Sequence, residues 1–287
     1  MLPEQYAKFS LAKGQAFETD RCRKMRYSSR EVAVPTYNSE NIIGKGHYGT
    51  VYSATWLNDR KVVVKEVNLK KAKDNNSCLP YREEKTLESI TQLKSENIVE
   101  YLGSYVSGNS ISFIMAFAGL QLDKFLEPLT GVLDEEHINN IIYQTLSALT
   151  ELQKLKIAHG DFYLCNMCYE GSSDKIKLID FGFSVIGGDD YERERTKDVS
   201  NLGKELLTLQ LKMKGVEDED ELYQKKLEFR LDDPEDIISS DSYWCKRLSL
   251  NQKQFIIKCI FESEKPDAVL QLKNSFSSRL PLAALSV

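Results

Sequence analysis

The chain has 287 residues, 41% hydrophobic and 28% charged, which is ordinary globular composition and excludes a disordered or collagen-like chain. Its 38 Lys+Arg against 43 Asp+Glu give a net charge of −5, which argues against a surface built to coat nucleic acid. The most continuous apolar stretch, Ile111 to Leu120, is far short of the roughly 20 residues of a membrane span.

The start, M-L-P-E-Q-Y-A-K-F, lacks the order of a secretory signal, so a reducing compartment, cytoplasmic or nuclear, is expected, with the cysteines as thiols. Residues 1–36 read as a tail without sustained periodicity, and Arg21 to Arg30 concentrates five positive charges. A docking arm, a localisation patch and a solvated linker all fit such a run.

From Asn38 the pattern turns to short strands. N-I-I-G-K-G-H-Y-G-T-V-Y-S-A-T, the turn L-N-D-R and the β-branched run K-V-V-V-K-E-V predict a hairpin. Pro80 then opens a helix with Leu87, Ile90 and Leu93 at helical spacing. Strands follow at N-I-V-E-Y-L-G-S-Y and S-I-S-F-I-M-A-F, parted by V-S-G-N. After Gly119 the chain becomes helical. Glu135 to Lys156 places Ile138, Ile141, Ile142, Leu146, Leu149 and Leu152 on one face. Short strands flank G-S-S-D, and helices are predicted over residues 199–209 and 252–261. The acidic stretches at Glu217–Glu221 and around Pro234 read as exposed caps and loops.

Gly44, Gly46 and Gly49 spell G-K-G-H-Y-G, a weak signal alone. Because T-V-Y-S-A-T continues as a strand, the glycines become a hairpin turn able to bring backbone N–H groups close to phosphates. Lys65, 16 residues past Gly49, can point beneath that turn. A buried lysine needs a partner, and Glu83 is favoured over Glu84 by one position, since Leu87 and Ile90 then face the core. Asp161 and Asn166 in A-H-G-D-F-Y-L-C-N-M, with Asp180 in L-I-D-F-G, supply the hard oxygens that phosphoryl transfer requires. The pair Cys165 and Cys168 has no second C-x-x-C, so buried thiols are expected over zinc.

These motifs, in this order and spacing, resemble the eukaryotic protein kinase family over roughly residues 38–276. The resemblance implies an α+β bilobal protein-kinase-like fold, with a β-rich N-lobe over residues 37–118, a mainly helical C-lobe over 119–287, and ATP in the cleft between them. It implies that Ile43, Gly44, Gly46, Gly49, Val51, Met115 and Phe117 contact the nucleotide, with Met115 to Phe117 as the hinge. Lys65 would contact the α and β phosphates while paired to Glu83. Asp161 would orient the acceptor hydroxyl or take its proton, and Asn166 and Asp180 would hold Mg²⁺. His159 and Phe181, with Leu87 and Tyr101, resemble the apolar spine, and Asp198 the acid that braces the catalytic loop.

The sequence departs from the family in places. Gly160 replaces the arginine that would receive a phosphorylated activation loop. Tyr163 and Cys165 stand where a catalytic-loop cation is usual. Asp180 and Asp198 are only 18 residues apart, with no Ala-Pro-Glu, and the late block offers Lys265 in place of arginine. The surviving segment, acidic at Asp189, Asp190, Glu192 and Glu194, either attracts a basic substrate or is a solvated loop. A protein Ser/Thr kinase with a protein substrate is the leading expectation. The alternatives are a pseudokinase or scaffold, and a kinase of a non-protein substrate.

Overall fold

The computed structural model describes residues 16–17, 25–26, 34–46, 49–74, 79–126, 135–213, 250–261, 263, 265 and 269. Most of the basic run Arg21–Arg30, both later acidic stretches, His47, Cys22, Cys78 and Cys245 lie outside the described residues. A short pair, β1 (Ala16–Phe17) with β2 (Met25–Arg26), is antiparallel. The described chain divides into two compact units. The first takes the residues through Ser95, Val99–Phe117 and Phe181–Ser184; the second takes Glu96–Ile98, Ala118–Asp180 and the residues from Val185 onward.

The first unit is built on a five-stranded antiparallel sheet. Its strands are β3 (Ile42–Lys45), β4 (Gly49–Trp56), β5 (Arg60–Asn68), β6 (Tyr101–Ser107) and β7 (Ser110–Ala116), in the order β3-β4-β5-β7-β6. Alternation along β5 separates two faces. Val62 and Val64 go to a core with Ala54, Tyr105 and Ile114, which Val34, Tyr37, Tyr52, Trp56 and Leu102 flank. At about 1.5–3 kcal/mol for each large side chain fully buried, this layer fixes the sheet's register. Lys65 belongs to the other face, paired with Val51 on β4 and Phe113 on β7. After β5 come α1 (Leu69–Asp74) and α2 (Leu79–Ile90), the latter burying Leu87 and Ile90.

The strand expected over residues 97–105 is split. Tyr101 begins β6, whereas Asn97 and Ile98 join the second unit, where Ile98 forms a parallel bridge with Leu178.

The second unit comprises β8 (Leu120–Gln121), α3 (Leu122–Leu126), α4 (Glu135–Lys154), β9 (Ile157–Ala158), β10 (Met167–Glu170), β11 (Lys175–Leu178), β12 (Val185–Ile186), α5 (Asp189–Met213) and α6 (Leu250–Phe261). The apolar stripe of α4 is buried as its spacing requires. Beside it runs a buried polar line. Gln144 Oε1 accepts from Ile176 N (2.8 Å) and from Asn97 Nδ2 (2.9 Å), and Asn97 O accepts from Leu178 N (2.9 Å). These bonds fix β11, the strand that ends two residues before Asp180.

The segment after Asp180 departs from its sequence reading. The helix expected to begin at Val199 begins ten residues earlier, at Asp189, and absorbs the acidic stretch into its first turns. Gly187 and Gly188, at φ 55° and 72°, make the left-handed turn that launches it, and Asp189, Asp190 and Glu192 complement the helix N-terminus. Three of the four acids of the stretch are matched locally: Asp190 with Arg193, Glu192 with Arg195, and Glu194 with Arg193 and Lys197. They lie on a helix, where the sequence reading allowed a solvated loop, and each is paired with a basic neighbour of the same helix. No helix among the described residues is long and apolar enough to cross a membrane.

Candidate active site

In the first unit, β3 and β4 carry the glycines. A register shift between Ile42 and Gly44 leaves Ile43 outside the pairing and half exposed, while Gly44 pairs with Val51. Gly46 N donates to Gly49 O at 2.9 Å, closing the turn. The three glycines are not equivalent. A Cβ on Gly49 would lie 2.1 Å from Glu66 O, a backbone atom that cannot step aside, whereas at Gly44 and Gly46 nothing lies closer than 3.7 Å. Gly49→Ala is therefore expected to destabilise the chain by about 1–3 kcal/mol. Gly46→Ala should stay within about 0.5 kcal/mol, as read by urea unfolding.

Lys65 Nζ donates to Glu83 Oε1 at 2.7 Å, with the side chains 16% and 4% exposed. Glu84 is also buried, but it accepts from Ser104 Oγ on β6 at 2.8 Å, which separates the two neighbouring acids by partner. Met115 is buried near the end of β7, Ala116 N donates to Glu100 O at 2.9 Å, and Phe117 just beyond is exposed.

In the second unit, Asp198 on α5 accepts from His159 N at 2.6 Å and Gly160 N at 2.9 Å. Burial pushes its carboxyl up to about 7, against the pull of those two N–H groups. Gly160 takes φ 79°, a conformation arginine would adopt only with strain. His159 is fully buried, and burial holds its pKa below the usual value. Its Nε2–H donates to Ile179 O at 2.8 Å, and Nδ1 accepts from Asp161 N at 3.3 Å, which fits one neutral tautomer.

Asn166 Nδ2 donates to Asp161 Oδ2 at 2.7 Å and Asp161 O at 2.8 Å, and Ile179 N donates to Asn166 O at 2.9 Å. The loop carrying Asp161 is thus stitched to the residue preceding Asp180. Asp180 itself holds φ 58°, an uncommon state for a non-glycine residue that needs surrounding structure to maintain it. Tyr163, two residues past Asp161, is exposed.

Several positioning residues escaped the sequence reading. Glu205 Oε2, two turns after Asp198 on α5, accepts from Leu164 N at 3.2 Å and so holds the middle of the same loop. Arg195 is buried and donates through Nη1 to Lys265 O (3.2 Å) and Ser263 O (3.4 Å), so the cation bracing the late block comes from α5 and meets backbone oxygens. Lys265 offers its carbonyl. The pattern G-G-D-D was the available signal for where α5 starts. Of the C-x-x-C pair, Cys168 is buried as expected, whereas Cys165 is exposed; burial raises both thiols, Cys168 to about 12.

A sheet carrying a lysine–glutamate pair, and a helical unit carrying an Asp-x-x-x-x-Asn loop ahead of Asp-Phe-Gly, together define a phosphoryl-transfer protein class. A family model described as "Protein kinase domain" matches residues 37–203, more than half the chain, and the chain belongs to that family. It is 33% identical over 159 residues to mitogen-activated protein kinase kinase kinase nsy-1 of Caenorhabditis elegans. It is 29% identical over 153 residues to serine/threonine-protein kinase TIO of Arabidopsis thaliana, and 32% over 151 residues to serine/threonine-protein kinase KIC1 of Saccharomyces cerevisiae. These matches take in 53%, 53% and 52% of this chain but only 10%, 11% and 13% of the relatives, so the chain spans a small part of their length.

Proposed function

We propose that this chain transfers the γ-phosphate of ATP to Ser or Thr hydroxyls of protein substrates, with residues 37–118 as an N-lobe and 119–287 as a C-lobe. The observation that carries this reading is the Asp161–Asn166 pair, a carboxylate held in a fixed direction beside an amide oxygen and joined through Ile179 to the Asp180 turn. Asp161 receives the acceptor hydroxyl's proton as its oxygen bonds to the γ-phosphorus and the bond from that phosphorus to the β–γ bridging oxygen breaks. Lys65, oriented by Glu83, neutralises the α and β phosphates. Gly44, Gly46 and Gly49 leave room for backbone N–H groups near them, and Ile43, Val51, Met115 and Phe117 provide the base-binding surface.

Asn166 Oδ1 and the Asp180 carboxylate are hard oxygen donors, suited to Mg²⁺, which takes one or two protein ligands and completes its shell with water and phosphate. When bound, Mg²⁺ supplies charge neutralisation on the phosphates. Action in the cytoplasm or nucleus is part of the same proposal. A second reading, a scaffold that binds nucleotide without turnover, is favoured by one feature, Tyr163 in place of a cation.

The test is transfer of radiolabelled γ-phosphate to a panel of generic acceptor proteins. Wild-type chain is expected to label them on Ser and Thr, and Asp180→Ala to lose at least about 100-fold. Equal labelling by both would overturn the assignment.

A further inference from the structure

One turn beyond Glu83 on α2, Thr86 Oγ1 lies 2.6 Å from Ser184 Oγ, and both side chains are completely buried. Ser184 Oγ also donates to Phe181 O at 2.7 Å. A carbonyl can only accept, so the single proton of Ser184 is committed there, and Thr86 must donate to Ser184. The result is a directed relay, from the Thr86 hydroxyl to the Ser184 hydroxyl to the carbonyl of Phe181, the residue that follows Asp180. It joins the helix bearing Glu83 to the segment that leaves Asp180, wholly inside the first unit.

Ser184 is the only Ser, Thr or Tyr between Asp180 and Asp189. With its side chain fully buried and both hydroxyl roles used, it is closed to a modifying enzyme. The adjoining residues are fixed as well: Val185 and Ile186 pair with Ala158 and Ile157, and Gly187 N donates to Lys156 O at 2.8 Å. Gly160 leaves no guanidinium at that point of the loop to receive a phosphate.

We propose that the Thr86–Ser184 relay is a built-in latch that holds α2 in the register where Glu83 meets Lys65. Thr86 and Ser184 are then positioning residues for Lys65. The consequence for turnover rests on the kinase reading above; the latch itself does not.

The experiment measures acetylation of Lys65 by a water-soluble acetylating ester, read by mass spectrometry on the full chain, with Lys175 as internal reference. Thr86→Val and Ser184→Ala each break the relay and leave a buried hydroxyl short of a partner, so Lys65 labelling is expected to rise about fivefold in each. The double variant should rise no further, because both changes break one relay, and Thr86→Ser should restore the wild-type rate. Lys175 should not change. In phosphate transfer the same variants should lower kcat by a similar factor with the acceptor KM unchanged. Should wild type transfer nothing, the function falls while the labelling still reads the latch. Unchanged Lys65 labelling in folded variants, single effects that multiply in the double variant, or failure of both single variants to fold would overturn the proposal.

Discussion

Lys65→Met is expected to lower phosphate transfer by about 10³-fold or more while leaving the chain folded. Methionine matches the length of the lysine stem and lacks the ammonium at its end, so the register of β5 between β4 and β7 is undisturbed. What is lost is the ammonium 2.7 Å from Glu83, leaving a carboxylate that is only 4% exposed without its cation. Removing one partner of a buried pair costs up to about 3–5 kcal/mol, and the partial exposure of Lys65 places this site at or below the low end. Stability and activity can be separated. Adding Glu83→Gln to Lys65→Met removes the stranded charge, so unfolding by urea should recover part of the loss while transfer stays absent. Transfer at the wild-type rate by Lys65→Met would remove Lys65 from the nucleotide site.

The contrast between Glu83 and Glu84 shows where the sequence stops being legible. Periodicity on α2 identifies Leu87 and Ile90 as core residues, and they are buried, but two adjacent acids differ by only one helical step. Their fates are decided by distant residues, Lys65 for one and Ser104 for the other, and no local pattern carries that information. The α+β class, the hairpin and the long α4 were readable because each has a strong period or a turn signal. The split at Asn97 was not, since Asn97 and Ile98 are drawn away from β6 by bonds to Gln144 and β11. The opposite happened at α5. G-G-D-D is a local signal for a helix start, but the acids that follow it read equally well as a solvated loop, and apolar spacing alone places the helix from Val199. The bracing of the late block was hidden for a chemical reason: Arg195 meets carbonyl oxygens, which every residue has, so no partner side chain marks the contact.

Asp161→Asn separates an enzyme from a scaffold with the least structural disturbance. In the native loop Asp161 Oδ2 accepts from Asn166 Nδ2, and the amide oxygen of the substituted residue can accept the same bond; the bonds at Asp161 N and O are main-chain and persist. Unfolding should therefore shift by less than about 1 kcal/mol, the scale of one ordinary hydrogen bond. An amide cannot take the acceptor hydroxyl's proton, and loss of a positioned base costs about 10²–10⁴-fold in rate. Transfer reduced by that factor, with nucleotide binding and stability retained, would establish turnover through this carboxylate despite the uncharged Tyr163 two residues on. An unchanged cellular role in the Asp161→Asn chain would instead mean that Asp161 serves only to brace the loop and that the protein acts by binding.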